Sequence, residues 1–349
     1  MKRIIVALVL GFMIVSAASA LAATPLGGLA VAVSPAGNTL AAAGDNRVLY
    51  VLSAGKLEVT NRIWLGVCIV ELQFNKDGST LLAEDTNGTI HLIDAKTWQV
   101  TKKLPKAEKM SIARNADLGA GLDPNYNGQV IRFVSLTDLS EKGKIVFAKD
   151  QKVAALGLDA KGERLGVLLE SVNDDTEPKG AKPPADVKGL ALDEFKMKND
   201  GKTSLFMVFK VPSGEKVSEH KLYFSASIVG AKVLFQGENA LVVNYSNLNA
   251  KIDPKGEITL FNLDNSFNYG LGFSADQAVL MSGGLSVGTY TKVDGLNMTK
   301  FEPDKLQGWP EYFKGFAVAG DGTAYGSTSA YRIVKIKPGG GFEKSVPVF

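Results

Sequence analysis

The stretch that decides the fold is residues 75–104, NKDGSTLLAEDTNGTIHLIDAKTWQVTKKL. An Asn-Lys-Asp-Gly turn precedes a short apolar strand at 79–83. A polar turn at 84–88 leads to an alternating strand at 89–93, and another turn leads to a last strand at 98–104. Short strands separated by turn residues are typical of an antiparallel meander. The stretch therefore predicts one four-stranded sheet.

The same pattern recurs along the chain as a turn, usually ending in Gly, that is followed by an apolar residue opening the next strand. The seven copies are aligned on Leu40, Leu81, Leu122, Leu165, Leu241, Leu280 and Tyr325, with spacings of 41, 41, 43, 76, 39 and 45 residues. Five spacings fit the period of about 40–45 residues found in four-stranded propeller blades. A single sheet cannot cover both of its faces, and a closed ring buries them between neighbours. The sequence predicts an all-β, seven-bladed β-propeller, with an open β-solenoid or a sandwich as the alternatives.

Two copies of the repeat resemble a known family. Residues 78–104, GSTLLAEDTNGTIHLIDAKTWQVTKKL, and residues 34–52, SPAGNTLAAAGDNRVLYVL, look like the repeat of the YVTN/WD40-like bacterial β-propellers. The Gly-His and Trp-Asp dipeptides of strict WD40 repeats are absent, and His91 and Trp98 do not occupy their places. The resemblance implies the ring architecture for the mature chain, and it implies no particular activity.

The first 23 residues have the order of a signal peptide. Lys2 and Arg3 precede an apolar run at 4–15, and small residues follow at 16–23. This order favours a cleaved secretory signal over an uncleaved anchor, because the apolar run is short for a membrane span. We expect cleavage after Ala20 or Ala23, a single propeller domain over 24–349 without a membrane span, and location in the periplasm or outside the cell.

Composition narrows the class of partner. The chain has 349 residues with 39 Lys and Arg against 36 Asp and Glu, so losing Lys2 and Arg3 leaves 37 against 36. A nearly neutral chain without a basic cluster is not expected to bind nucleic acid. Cys68 is the single cysteine, which excludes an intramolecular disulfide; its apolar surroundings favour a buried packing role.

A long insertion interrupts the fourth blade. Residues 170–204 are rich in Pro, Gly, Lys and acidic residues, which are poor core formers, and only 189–196 have the apolar content of a short strand or helical turn. The insertion is predicted to connect the second and third strands of the blade. A shorter elaboration, 245–256, is predicted in the same connection of blade five. Together they are expected to thicken one rim of the ring, where a partner would dock.

Polar residues of these rim loops are the candidate binding residues: Glu84, Asp85, Asn87, Asp174, Asp175, Asn244, Tyr245 and Asp253. Such oxygen ligands suit Ca²⁺, but their spacing matches no calcium loop, and turn formation explains the same residues. No cofactor is therefore predicted. His91 and His220 are expected to be packed or exposed on outer strands, where they form neither a metal site nor the base of a catalytic pair.

These observations predict an exported, non-enzymatic propeller that acts as a protein-binding scaffold or accessory subunit of a periplasmic complex. Some exported YVTN-like propellers are non-catalytic subunits of redox enzymes such as the quinohaemoprotein amine dehydrogenases, so the resemblance implies a redox-enzyme subunit as one possible partner. One alternative is a lactonase-like enzyme with a metal in the central funnel. The inner strands are mostly apolar, with Glu71 and Arg114 as exceptions, which disfavours it. A small-ligand-binding propeller is the other alternative.

Overall fold

Seven small antiparallel sheets stand in a ring, which confirms the seven-bladed β-propeller. The structure is a computed structural model, and it describes residues 28–105, 107–113, 115–174, 180–223, 231–243, 248–261, 270–274, 278–284, 288–294, 297–301 and 313–348. In six of the sheets the four strands follow one another in chain order, and in blade four the short extra strand β15 (Val172–Asn173) pairs only with β16 (Lys202–Lys210); the first strand of each sheet lies nearest the centre. The first strand of blade seven packs against that of blade one and closes the ring.

Blades one to four contain the strands β1 (Leu29–Val33), β2 (Thr39–Gly44), β3 (Val48–Ser53), β4 (Glu58–Trp64); β5 (Ile69–Phe74), β6 (Thr80–Asp85), β7 (Thr89–Asp94), β8 (Val100–Pro105); β9 (Glu108–Ile112), β10 (Gly119–Leu122), β11 (Val130–Val134), β12 (Glu141–Val146); β13 (Val153–Leu158), β14 (Arg164–Leu169), β15 (Val172–Asn173), β16 (Lys202–Lys210) and β17 (Lys216–Leu222). Blades five to seven contain β18 (Lys232–Gln236), β19 (Asn239–Val243), β20 (Asn249–Ile252), β21 (Ile258–Phe261); β22 (Gly270–Phe273), β23 (Val279–Gly283), β24 (Gly288–Asp294), β25 (Asn297–Phe301); β26 (Phe313–Val318), β27 (Ala324–Thr328), β28 (Arg332–Ile336) and β29 (Phe342–Pro347).

Blade two shows how the sequence pattern becomes a blade. Its two middle strands, β6 and β7, are almost wholly buried because a neighbouring blade covers each of their faces. The outer strand β8 is polar and largely exposed, as its sequence VTKKLP requires. Asp94 ends β7 by accepting the N–H groups of Lys96 and Thr97 at 3.0 and 2.7 Å, which fixes the turn into β8.

The hydrophobic core is divided among the interfaces between blades. Seven clusters of buried side chains are found among the described residues, and each joins two adjacent blades. Phe133 is completely buried between blades three and four, and Phe206 is completely buried between blades four and five. Truncating such a phenylalanine to alanine typically costs about 3–5 kcal/mol. Stability therefore depends on contacts made around the whole ring.

Two inner-strand glycines allow the blades to approach closely. A Cβ atom on Gly157 would lie 2.0 Å from the carbonyl oxygen of Val233 in the next blade. A Cβ atom on Gly272 would lie 2.2 Å from the carbonyl oxygen of Phe316. Real Cβ atoms do not approach backbone oxygens this closely, so a side chain at either position would push two blades apart.

The third copy of the repeat has a different register from the predicted one. In blades one, two and four, Leu40, Leu81 and Leu165 pair with the last residue of the first strand. In blade three this place belongs to Gly119, which pairs with Ile112. Leu122 ends its strand, so its alignment with the other copies was wrong by three residues. The apolar side chain expected at the strand start is replaced by glycine, since the Met110 and Leu136 side chains occupy that space.

The insertion of blade four contains one helix, α1 (Leu190–Asn199), and the two-residue strand β15. It lies between β14 and β16, and β15 pairs with the first residues of β16. Leu190 and Met197 of the helix pack against the core between blades four and five. The insertion is thus attached to the blade, and its described residues form no hydrophobic cluster of their own.

The elaboration predicted at 245–256 is not a single connection. Residues 249–252 form the third strand of blade five, and all four are buried. Asp253 to Gly256 form the turn between the third and fourth strands. Because the strands are antiparallel, that turn lies at the opposite end of the ring from the connection between strands two and three.

The two ends of the ring are therefore distinct. One end carries the connections between second and third strands and the links between blades, including 65–68, 86–88, 147–152, 170–174 and 180–201. We call this end the insertion face. The opposite end carries the turns that join strands one to two and three to four.

Candidate functional site

The central funnel is a cavity with a volume of about 510 Å³. The first strand of every blade contributes to its wall. Cavities of about 300–1,000 Å³ are typical of small-molecule sites. The funnel is therefore large enough for a small organic ligand.

Four charged side chains line this funnel: Glu71, Glu84, Lys109 and Lys232. The Lys232 ammonium group donates to Glu71 Oε2 at 2.8 Å. This ion pair joins blade two to blade five across the ring. The Lys109 ammonium group donates to the backbone oxygen of Ala154 at 2.7 Å, which joins blade three to blade four.

Glu84 holds an unusual piece of backbone in place. Its two carboxylate oxygens accept the N–H groups of Lys109 at 2.8 Å and Met110 at 3.1 Å. At this point β9 has a bulge, because its pairing with β10 shifts between Ala120 and Leu122. Lys109 has a φ of 53°, and it is the one non-glycine residue with positive φ that lies inside a strand in the described chain. Such a conformation costs of order 1 kcal/mol or more, and the two hydrogen bonds from Glu84 help offset it.

Burial changes the proton affinity of two of these groups. Glu84 is 8% exposed, and desolvation raises the pKa of its carboxyl group from 4.5 to about 7 against the lowering effect of its two backbone hydrogen bonds. Desolvation lowers the pKa of the Lys109 ammonium group from 10.5 to about 8, and the nearby charge of Lys232 lowers it further, while Glu84 acts in the opposite direction. Both groups therefore titrate closer to neutral pH than they do in water.

The four charged groups lie at one end of the funnel. Glu71 lies near the start of β5, Lys109 near the start of β9 and Lys232 at the start of β18, while Glu84 lies near the end of β6. The first strand of each blade begins at the insertion face, and the second strand of each blade ends there. The funnel thus has a charged mouth on the insertion face, and its far end is lined by less polar groups.

The rim residues predicted in blade two do not converge. Glu84 and Asp85 belong to strand β6 and are buried, so their prediction as part of an exposed turn was wrong. Successive strand residues point to opposite faces, and Glu84 accordingly contacts blade three while Asp85 contacts His91. Asn87 is exposed in the following turn, where its N–H group donates to Asp85 Oδ1 at 2.8 Å.

The other predicted rim residues are also separated. Asp174 follows β15 in the insertion and forms an ion pair of 2.5 Å with Lys221 of the outer strand. Asp253 lies at the opposite end of the ring, where it accepts the N–H groups of Lys255 and Glu257 within its own turn. The three remaining candidates lie outside the described residues, and they are Asp175, Asn244 and Tyr245.

His91 is packed, which is one of the two expectations, but it does not lie on an outer strand. It lies in β7, the third strand of blade two, where it is 3% exposed and its Nε2 atom is 2.8 Å from Asp85 Oδ2. His220 does lie on an outer strand, β17. Within the described part of the chain, no three His, Cys, Asp or Glu side chains converge in a way that could hold a metal ion.

Exposed hydrophobic side chains concentrate on the insertion face. Eight large hydrophobic residues are exposed among those described, and five of them lie at this end of blades one to four: Trp64, Val70, Tyr126, Val146 and Val172. Trp64 is 69% exposed at the end of β4, and Val146 is 64% exposed at the end of β12. No helix of the described chain has the length and apolar character to cross a membrane.

Comparison with known proteins supports the fold alone. No family model and no curated protein matches the chain. Among solved structures, hydrazine synthase of Kuenenia stuttgartiensis is similar with a TM-score of 0.63 at 13% identity, over 86% of this chain and 92% of that chain. The β-propeller domain of Cps50 (Swd1) from Myceliophteria thermophila is similar with a TM-score of 0.61 at 12% identity, over 86% and 94%. Such low identities do not establish the YVTN/WD40-like family suggested by the repeat.

Sequence reasoning identified Glu71 as a charge in an inner strand but missed Lys109 and Lys232. A signal was present, because each of these charged residues lies near the start of the first strand of its blade: Glu71 in IVELQF, Lys109 in EKMSI and Lys232 in KVLFQ. Arg114, the other charge expected there, lies outside the described residues.

Proposed function

We propose that the protein is an exported, non-enzymatic scaffold or accessory subunit that binds another periplasmic protein through its insertion face. This proposal is supported mainly by the concentration of exposed hydrophobic side chains on that face, beside the insertion. Exposed apolar groups scattered singly need no explanation, but their collection at one end of a rigid ring is typical of a docking surface.

The details of the face fit a protein partner. Trp64 is a large amphipathic side chain of the type that contributes most to protein interfaces. Tyr126, at 52% exposed, belongs to the same face on blade three, and the helix of the insertion rises from blade four. A surface that extends over several blades suits a macromolecule better than a small ligand.

Export rests on the sequence of residues 1–23, with its charged, apolar and small-residue segments in signal-peptide order. The location is tested by cell fractionation together with N-terminal sequencing of the native protein. A mature chain that begins after Ala20 or Ala23 in the periplasm supports the proposal. A full-length chain in the cytoplasm contradicts it.

The fold match to hydrazine synthase shows that such a ring occurs in the structure of an enzyme. It fits the narrower version of the proposal, in which the partner is a subunit of a periplasmic redox enzyme. In the funnel, Glu84 accepts two backbone N–H groups and Glu71 pairs with Lys232, which favours the scaffold over a metal-dependent, lactonase-like enzyme.

The insertion can be removed cleanly because Asn173 and Lys202 are paired in the sheet. Replacing 174–201 by an Asn-Gly turn should leave a β-hairpin at this point. The tagged wild type and this deletion variant are captured from native periplasm, and the thermal unfolding of both is measured beforehand. A stoichiometric partner that is recovered with the wild type and lost with the folded deletion variant supports the proposal. Recovery of both proteins alone contradicts it.

A further inference from the structure

The net charge of the funnel mouth depends on whether the buried carboxyl group of Glu84 holds a proton. Two carboxyl groups, Glu71 and Glu84, face two ammonium groups, Lys109 and Lys232. Glu84 uses both of its oxygens to accept backbone N–H groups, so it is committed to the fold. When Glu84 binds a proton, these four funnel-lining groups carry one net positive charge, while Glu108 and Glu170, which do not line the funnel, also act on Lys109. A mouth of this kind favours a ligand with one negative charge.

The two ammonium groups lie at the same end of the funnel. Both Lys109 of blade three and Lys232 of blade five line this cavity near the start of their strands, and the charge of Lys232 contributes to the lowered pKa of Lys109. Lys232 is held by Glu71 at 2.8 Å, and both side chains of that pair are about 40% exposed, at 42% and 38%. A ligand carboxylate can therefore replace Glu71 as the partner of Lys232 without uncovering a buried charge.

The funnel beyond the mouth offers an apolar wall. Leu271 and Phe273 of blade six are half-buried and line the funnel. The polar groups in between already have partners, since Gln73 donates to the backbone oxygen of Met110 at 2.9 Å and Ser111 accepts the N–H group of Leu158 at 3.0 Å. An apolar ligand body would displace water from this wall at little cost in hydrogen bonds.

We propose that the funnel binds a small organic monocarboxylate, with its carboxylate between the Lys109 and Lys232 ammonium groups and its apolar body against Leu271 and Phe273. This inference does not depend on protein docking at the insertion face. The positive charge of the two lysines selects the carboxylate, and the apolar wall selects the organic body of the ligand.

Proton uptake by Glu84 is coupled to this binding. The titratable groups that face Glu84 are Glu71 from β5, Lys109 from β9 and Lys232 from β18. Because the pKa of Glu84 is about 7, its protonated fraction falls about fourfold between pH 6 and pH 7.5. The affinity for the carboxylate should fall by about the same factor, since binding favours the state in which Glu84 is neutral.

The test is isothermal titration calorimetry of the mature protein with three carboxylates, namely acetate, hexanoate and benzoate. Hexanol and hexylammonium are the neutral and cationic control ligands. At least one of the carboxylates is expected to bind with one-to-one stoichiometry, and hexanol and hexylammonium are expected to bind at least tenfold more weakly than hexanoate. Lys109→Gln and Lys232→Gln should each weaken carboxylate binding at least tenfold. Lys232→Arg should retain binding, which separates lost charge from misfolding.

Lys210→Gln is the matched control, because Lys210 also forms an ion pair, with Glu215 at 3.0 Å, but lies on the outside of blade four. It should bind like the wild type. Glu84→Gln should remove most of the fourfold change between pH 6 and pH 7.5, leaving the smaller change that comes from Lys109, whose pKa is about 8. The proposal is overturned if none of the three carboxylates binds, if the neutral or cationic probe binds as tightly, or if Lys210→Gln weakens binding as much as Lys232→Gln.

Discussion

The stability of the ring should depend on pH through Glu84, and Glu84→Gln should remove that dependence. The carboxyl group of Glu84 is buried beside the funnel, where it accepts N–H groups of Lys109 and Met110. Desolvation raises the pKa of the carboxyl group in the folded chain from 4.5 to about 7. The folded state therefore holds a proton that the unfolded state releases between these two pH values.

The difference between the two pKa values of Glu84 sets the sign and the magnitude of the change in unfolding free energy with pH. Below pH 4.5 both states bind the proton, and Glu84 does not alter the pH dependence. Between pH 4.5 and pH 7 the unfolded state binds fewer protons, so the free energy of unfolding falls as the pH rises. At about 1.4 kcal/mol for each tenfold change in proton affinity, the difference between 4.5 and about 7 amounts to about 3 kcal/mol.

The assay is urea denaturation of the wild type and Glu84→Gln from pH 4.5 to pH 8. The amide cannot ionise, so the difference in unfolding free energy between the two proteins should change by about 3 kcal/mol over this range, in favour of the variant at high pH. The amide has one acceptor oxygen in place of two, so one of the two backbone N–H groups loses its acceptor; this adds an offset that does not vary with pH and leaves the slope unaffected. A difference that stays constant with pH would refute the reasoning about Glu84.

Two further substitutions test the packing of the ring by chemical denaturation. Gly157→Ala should destabilise the protein by about 1–3 kcal/mol or more, because the new Cβ atom meets the Val233 carbonyl oxygen. Gly55→Ala is the control and should have little effect, since nothing lies within 4 Å of its Cβ position. Equal effects of the two substitutions would show that the contact between blades is not tight. Asp85→Ala should cost about 2–3 kcal/mol because it leaves the buried His91 without this hydrogen-bond partner, and Asp85→Asn should recover part of the loss; an unchanged midpoint for Asp85→Ala would contradict the buried pair.

The seven-bladed ring could be predicted from the sequence because its period has a physical origin. Each blade must present a turn and an apolar strand in the same order, and stacking places the same residue type at the same depth. Leu40, Leu81 and Leu165 carry this signal, and they occupy equivalent positions in the sheets. The register of blade three was missed since Gly119 replaces the leucine there, where side chains of its own blade fill the space.

The candidate site was harder to predict because it is assembled from distant parts of the chain. Glu71 and Lys232 are 161 residues apart, and only closure of the ring brings them within 2.8 Å. Glu84 and Asp85 were read as a polar turn, since the sequence does not reveal that the strand continues through them. Asp253 was predicted at the wrong end of the ring. The buried third strand of blade five begins with Asn-Ala-Lys, and its two polar residues made this strand look like part of a loop.

Docking at the insertion face is the central claim, and its most direct test is the affinity of the captured partner for three single variants. Trp64→Ser and Val146→Ser change exposed residues on that face, and Val217→Ser changes a valine of similar exposure, 55% against 64%, at the opposite end of an outer strand. Loss of a tryptophan anchor typically costs 2 kcal/mol or more, or about thirtyfold in affinity. We predict that Trp64→Ser and Val146→Ser weaken binding and that Val217→Ser does not. Equal affinity for all three variants and the wild type would contradict the claim.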